Sequence, residues 1–449
     1  MKKTFIYILI IYMFSWNNVL RSQNNMPNHL QRIYSLSTIW KEMQYNFAFP
    51  EKLKQVNIDS LYLAYLPKVE GINSEYEYYK TLSEFIAHFN EAHTRIYIAK
   101  RPDDTPPIKI SNLGKKIIVS DISKKSVEKI PIGSEILKIN NIPVIEYIND
   151  SVSPYISAST PHWKFEKSAT EVLYGRPHTS VNILVKPPKG KEHEVTLIRD
   201  YNSNGMKEPM VKGDNASPIS IKIIEKNIGY IQLGSFGGQF LDSINNTLRV
   251  YLPQLRTCKG LIIDIRGNRG GTDAAWENIA CSLIPESQFK LSGKWLSRKN
   301  ITTFRKWGEY APQFRSYYEG TAMEEIKHPS YLNEIDDSLK LSQPLVILSG
   351  QYVGSAAEDF LILMKEQKRG IIIGEPSVGC VGEPMFIPLT NNYELMFCSK
   401  KYINVDGSQP NDTGILPDIE VRNSYESYYI QGIDNILDRG IQELMKTIK

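Results

Sequence analysis

The sequence has little cysteine, and none of it is closely paired. Cys258, Cys281, Cys380 and Cys398 all lie in the C-terminal half, and no two form a C-x-x-C pair. That argues against a metal site built on them. Disulfides in an exported chain and buried free thiols both stay open. Charge of one sign is also scarce. The formal net charge is +4 and no basic stripe runs along the chain, so nucleic acid is not an expected partner. There is no internal repeat and no low-complexity tract, which leaves solenoids and arrays aside. Glycines follow one strand-like segment, but the spacing is not G-x-G-x-x-G and the Lys-Ser/Thr ending of a Walker loop is missing. Nucleotide binding is therefore discounted, and no cofactor or metal is expected.

Long apolar runs are absent as well. Thr4 to Trp16 is apolar but too short to span a bilayer comfortably; Lys2 and Lys3 precede it and polar residues follow. Residues 1–23 read as a secretory signal peptide ending near Ser22 or Gln23. The protein is thus expected to be exported: periplasmic, in the cell envelope or secreted. It would meet the membrane only through this segment if uncleaved. No cysteine lies nearby, which argues against a lipid anchor.

What is present suggests several units, because 449 residues exceed one ordinary core. Residues 24–105 read as a helical domain. Ile33, Leu36, Trp40, Met43 and Phe47 recur at helical spacing, and Pro50 ends that run. A short helix capped by Asp59 is expected next, then one from about Ser74 carrying Tyr78, Leu82, Phe85 and Phe89. It gives way at EAHTRIYIA to a strand from Arg95 to Ala99, so His93 sits at a helix-to-strand junction. A histidine there is either a polar turn residue or one that reaches a cleft. Residues 106–200 alternate short β-rich segments with turns. Residues 201–430 alternate buried strands with helices, the pattern of an α/β core. A polar, aromatic insertion at about 287–340 reads as a lid, and a C-terminal helix occupies 431–449.

Within that core, PLVILSGQYVGSAAEDFLILMKEQKRGIIIGE (344–375) reads as strand, loop, helix, strand, with Ser355 where loop becomes helix. Two readings meet there. Ser355 to Glu358 spells S-x-x-E, a capping box. The same position sets a hydroxyl beside free backbone N–H groups and the positive end of a helix, as an acyl-transfer nucleophile requires. A second strand, Leu261 to Ile265, leads into RGNRGG, where adjacent glycines let backbone N–H groups approach a ligand.

Two resemblances follow from these motifs. PIGSEILKINNIPV (131–144) is similar to the G-D-x-I-x-x-I-N-G-x-x-V stretch of PDZ domains at Gly133, Ile136, Ile139, Asn140 and Val144, although Ser134 replaces the acid and Asn141 the second glycine. That implies a groove that adds an extended chain end to a sheet edge; a small β-domain without a groove is the other reading. D-I-R-G-N-R-G-G (264–271), G-S-A-A-E-D-F (354–360), G-E-P-S-V-G (374–379) and the run from Asp406 through Gly414 to Asp418 resemble, in their order, the tail-specific or C-terminal processing serine peptidases, the family of tricorn protease. The resemblance implies an α/β, crotonase- and Clp-protease-like core with an N-terminal helical domain and a PDZ-like β-rich domain. It also implies hydrolysis of peptide or protein substrates, with Ser355 as nucleophile. Ala356 and either Gly270 or Gly271 would form the oxyanion hole.

The base is read from two departures. Cys380 stands where the Ser-Lys branch carries its lysine. EAHT resembles the D-G-H-T stretch of the Ser-His, tricorn-like branch, which implies His93 as general base. That branch has a glutamate at the position of Asn411, so Asn411 or its neighbour Asp412 is the candidate third member. A non-catalytic protein on the same fold, binding peptides or a lipophile, is the alternative.

Overall fold

The computed structural model describes residues 26–448, apart from 99, 204–208, 213–216, 300–301, 328–330, 333, 338–339 and 391–392. The signal-peptide reading lies outside the described residues. Among the described residues no helix is long and apolar enough to cross a membrane.

The chain's centre is a six-stranded sheet. Its strand order is Ile419–Glu420, Ile371–Gly374, Leu345–Ser349, Gly260–Asp264, Ile228–Leu233 and Ile219–Ile224. Every pairing is parallel except the last. The middle strands read GLIID and LVILS and every residue in them is buried. Such unbroken runs belong to parallel strands covered on both faces. Helices Leu241–Leu255, Ala274–Leu283 and Ala356–Glu366 contribute to the larger core, which includes Leu248, Trp276 and Phe360. Helix Asn435–Thr447 covers the opposite face through Ile436 and Leu444. The salt bridges of Arg266 to Asp264 and Asp434, both 2.7 Å, tie that last helix to the sheet. Asp264 and Arg266, part of the first motif, therefore serve the fold.

The N-terminal helices pack on a different part of the core. Helices His29–Asn46, Pro50–Val56, Ile58–Glu70 and Glu75–Ala87 bury Leu36, Met43, Tyr78, Leu82, Phe85 and Phe89. Two local expectations change. Pro50 opens the second helix, because a proline tolerates the first helical turn. The cap of the third is Asn57, whose side chain accepts from the Ser60 N–H at 3.2 Å, and Asp59 falls inside the first turn. Strand Arg95–Ile98 then pairs antiparallel with Tyr393–Cys398, Arg95 opposite Met396. Tyr393, Leu395 and Phe397 bury their side chains among the helices. This pairing brings a segment far away in sequence onto the core.

Residues 106–200 form a β-rich unit with strand order Ile108–Leu113, Lys116–Ile122, Glu135–Ile139, Ser180–Lys186 and His193–Ile198, closed by helix Pro161–Thr170. The stretch at 287–340 differs from the expected irregular lid. Strand Lys294–Arg298 pairs with Met323–Ile326 on one side and Lys400–Ile403 on the other. Trp295 is buried against Tyr402, with ring centroids 4.8 Å apart. Aromatic packing makes the insertion an extension of the core, and none of its described residues lines the cleft described next.

Candidate active site

Ser355 follows the loop after strand Leu345–Ser349 and immediately precedes helix Ala356–Glu366. Its backbone is at φ 55, ψ −130, a region that side-chain-bearing residues seldom occupy. Non-glycine residues held this way cluster at functional sites. Here the surroundings impose the conformation. The Ser355 N–H donates to a Glu358 carboxylate oxygen at 3.1 Å and to the Cys380 Sγ at 3.2 Å.

Glu358 does more than cap. It is fully buried, and its carboxylate also accepts from the Ser377 hydroxyl (2.5 Å), the Gly379 N–H (2.7 Å) and the Cys380 N–H (2.8 Å). Burial pushes its carboxyl up, while these donors pull the other way. The Ser377 hydroxyl oxygen in turn accepts from the Ile415 N–H at 2.6 Å. Three of the four sequence motifs thus meet at one carboxylate. Glu358→Gln puts an NH2 group against N–H donors, and roughly 3 kcal/mol of stability should be lost with the 377–380 loop displaced. Urea unfolding measures this; a midpoint unchanged from the parent would rule out the hub role.

The glycine loop closes on Ser355 from the neighbouring strand. Gly270 has φ 90, and a Cβ on it would lie 2.5 Å from the Gly354 oxygen and 2.7 Å from the Ser355 Cβ. Only glycine fits there. The expectation for the oxyanion donors is corrected in one respect. The Gly270 N–H donates to the Asn268 side chain at 2.9 Å, so it is already committed. The Gly271 and Ala356 N–H groups have no partner among the described residues.

His93 is buried beside the same space. A cleft of about 590 Å³ is lined by His93, Ser355, Gly271, Gly354 and Cys380 among others. The His93 backbone N–H donates to Glu91 at 3.1 Å, and the Thr94 hydroxyl donates to the other Glu91 oxygen at 2.6 Å. Its ring Nδ1 is buried and unpartnered, and no hydrogen bond joins the imidazole to Ser355 among the described residues. Burial holds the imidazole below its ordinary pKa; Glu91 opposes this and Arg95 adds to it. Glu91, His93 and Cys398 present ligand-type atoms within 4.8 Å of one another, but the Glu91 carboxylate already serves the loop's own donors.

The expected third members are not found at the imidazole. Asn411 is buried and its Nδ2 donates to the Gly379 and Val381 carbonyls, both at 3.1 Å. It therefore steadies the loop beside Ser355. Asp412 is exposed at the end of a short helical turn, out of the buried site. Cys380 sits in the core with its thiol pushed well above the ordinary range by burial and then by Glu358 and Glu91. A neutral thiol is neither base nor nucleophile. None of the four cysteines is disulfide-bonded and all are buried, which decides between the readings left open for them.

The β-rich unit also reaches this loop. The Thr160 hydroxyl donates to the Val378 carbonyl at 3.2 Å, and His162 Nε2 lies 2.7 Å from the Ser377 oxygen. Tyr352, two residues before Gly354, donates to Glu166 of the same unit.

Residues 227–421 match the model of Peptidase family S41, and residues 29–87 match that of the Tricorn protease C1 domain. The core of the chain, residues 227–421, is thus similar to Peptidase family S41. The chain is 25% identical over 267 residues to the tail-specific protease of Haemophilus influenzae, covering 57% of this chain and 32% of the relative. It is 22% identical over 271 residues to the chloroplastic C-terminal processing peptidase of Tetradesmus obliquus, covering 60% and 52%. The matches therefore span about a third to a half of these relatives' lengths. The structure of mature CPAF complexed with lactacystin superposes with a TM-score of 0.73 at 14% identity, over 94% of this chain and 99% of that one, which establishes a shared fold.

Proposed function

We propose that this chain is an exported serine peptidase of the S41 type that cleaves peptides or envelope proteins through an acyl-enzyme on Ser355, with His93 as general base. The observation that carries the reading is the shared cleft. A serine in a strained helix-start conformation, an imidazole whose pKa burial lowers and two unpartnered N–H groups all belong to it or border it. In the proposed mechanism the Ser355 Oγ attacks the scissile carbonyl and His93 takes its proton. The Ala356 and Gly271 N–H groups receive the oxyanion. His93 then protonates the leaving amine, and a water, deprotonated by His93, releases the acid. The separation of imidazole and hydroxyl in the free protein is compatible with this, because such hydrogen bonds often tighten only around substrate.

The β-rich unit is read as PDZ-like, receiving a chain end at its sheet edge. The contacts of its Thr160 and His162 with Val378 and Ser377 support a coupling between this unit and the loop beside Ser355. The missing bond between His93 and Ser355 favours a second reading, a non-catalytic peptide- or lipophile-binding protein on this fold. A fluorophosphonate probe separates the two. Labelling of Ser355 is expected in exported protein whose N-terminus lies near residue 23. An unlabelled native chain would sink the peptidase reading, and a labelled cytosolic chain still starting at Met1 would sink export.

A further inference from the structure

The cleft carries more positive charge than its own carboxylates neutralise. Four cations line it, Arg95, Arg101, Lys167 and Arg269, against one acid, Glu171. Two of the four are accounted for. Arg101 pairs with Asp103 at 2.6 Å and Glu171 at 3.1 Å, and Lys167 pairs with Glu171 at 2.5 Å. Arg95 and Arg269 are exposed and have no carboxylate partner among the described residues. Arg269 rests its guanidinium 5.3 Å from the Tyr352 ring centroid. That contact orients the guanidinium and leaves its N–H donors free for a planar acceptor.

Their positions relate them to the reacting centre. Arg269 directly precedes Gly270, whose backbone packs on Gly354 and Ser355. Arg95 lies two residues beyond His93, on a strand whose exposed residues Arg95 and Tyr97 alternate with buried Ile96. The cleft wall next to it is apolar: Tyr97 meets Phe386 edge-on at 5.9 Å, and Ile98 and Met396 complete it. Water screens an exposed arginine in isolation, but a cleft with apolar walls focuses the field of charges it contains.

We propose that Arg269 and Arg95 form a carboxylate-binding subsite, so that the cleft selects peptide segments that present a carboxylate. This rests on the reading of the cleft as the substrate cleft. The carboxylate has two sources, a Glu or Asp side chain of the substrate or the substrate's free C-terminus. Arginine suits both, since its fork of donors accepts a carboxylate in bidentate fashion.

The test uses binding, which survives if turnover does not. Fluorescein-labelled octapeptides of alanine and leucine carry Glu or Gln at each position in turn, each as the free acid and as the C-terminal amide. Anisotropy titrations with the Ser355→Ala chain should give about ten- to hundred-fold tighter binding of the favoured carboxylate form over its neutral counterpart. The preference should weaken with added NaCl. A Glu-over-Gln preference in the amides assigns the side chain as source, and an acid-over-amide preference in the Gln peptides assigns the chain end. In Arg269→Gln with Arg95→Gln the ratio should fall toward one; circular dichroism checks the fold. Equal affinities for charged and neutral peptides overturn the proposal, as does a preference that survives both substitutions. Binding of no peptide at all overturns the subsite and the substrate cleft together. Hydrolysis of the peptides by the parent without charge preference overturns the subsite alone.

Discussion

Ser355→Ala is expected to abolish peptide hydrolysis, by about three orders of magnitude or more, while the chain stays folded. The structure explains why the two effects separate. Alanine keeps the Cβ, and with it the strained backbone at φ 55. It also keeps the N–H that donates to Glu358 and Cys380. Glu358 itself finds the Ser355 carbonyl oxygen at 2.7 Å, independently of the hydroxyl. Loss of a pure cap costs about 1 kcal/mol and leaves chemistry intact. The measurement is turnover of a fluorogenic peptide beside a urea melt. Hydrolysis within tenfold of the parent would return Ser355 to a capping role.

His93→Ala is the second large effect, with a loss of about a thousand-fold expected if the imidazole is the base. Its pH signature is specific. Burial holds the folded-state pKa below the ordinary value of about 6.5. The imidazole therefore stays neutral and able to accept a proton somewhat below that pH. The acid limb of kcat/KM should have its midpoint under about pH 6.5, with no rising limb into the alkaline range. A lysine base would behave oppositely, gaining activity as pH rises toward its own lowered pKa. The linked stability term has the same sense. The unfolded chain takes up a proton at His93 that the folded chain refuses, so stability is lost as pH falls below about 6.5 toward the folded pKa. The groups facing His93 are Glu91, Arg95 and Cys398. Cys380→Ala serves as the control for the position where the resemblance would place a lysine, with the acid limb unmoved. A fully active His93→Ala chain would falsify the assignment.

The core strands were legible because burial on both faces leaves an unbroken apolar signature. LVILS and GLIID need no partner to be recognised as strands, and the Ala356–Glu366 helix begins where S-x-x-E indicated. The first helix was legible by its spacing, and Ser74 by its capping chemistry. Where the reading failed, a longer-range effect prevailed. Asp59 and Asn57 are both good caps, and only the turn at Asn57, φ 47, shows which one leads the helix. Residues 287–340 look irregular because their described strands are short and their partners, the Tyr402 ring against Trp295 and the Phe47 carbonyl that accepts from Arg298, come from distant parts of the chain.

The candidate site divides along the same line. The sequence alone determined which residues have suitable chemistry: a serine at a helix start, glycines after a strand, a histidine at a junction, a cysteine where a lysine would be. Only the tertiary structure decided which of them act on the same space. His93 reaches the cleft because Arg95–Ile98 pairs with Tyr393–Cys398, and strand pairing across some three hundred residues leaves no local trace. Gly271 rather than Gly270 has the free N–H because the Asn268 side chain accepts from Gly270. Asn411 turns to backbone carbonyls and leaves the imidazole. Glu358, read as half of a capping box, proves to join three motifs. A buried carboxylate requires donors, and those donors come from whatever loops the fold places around it.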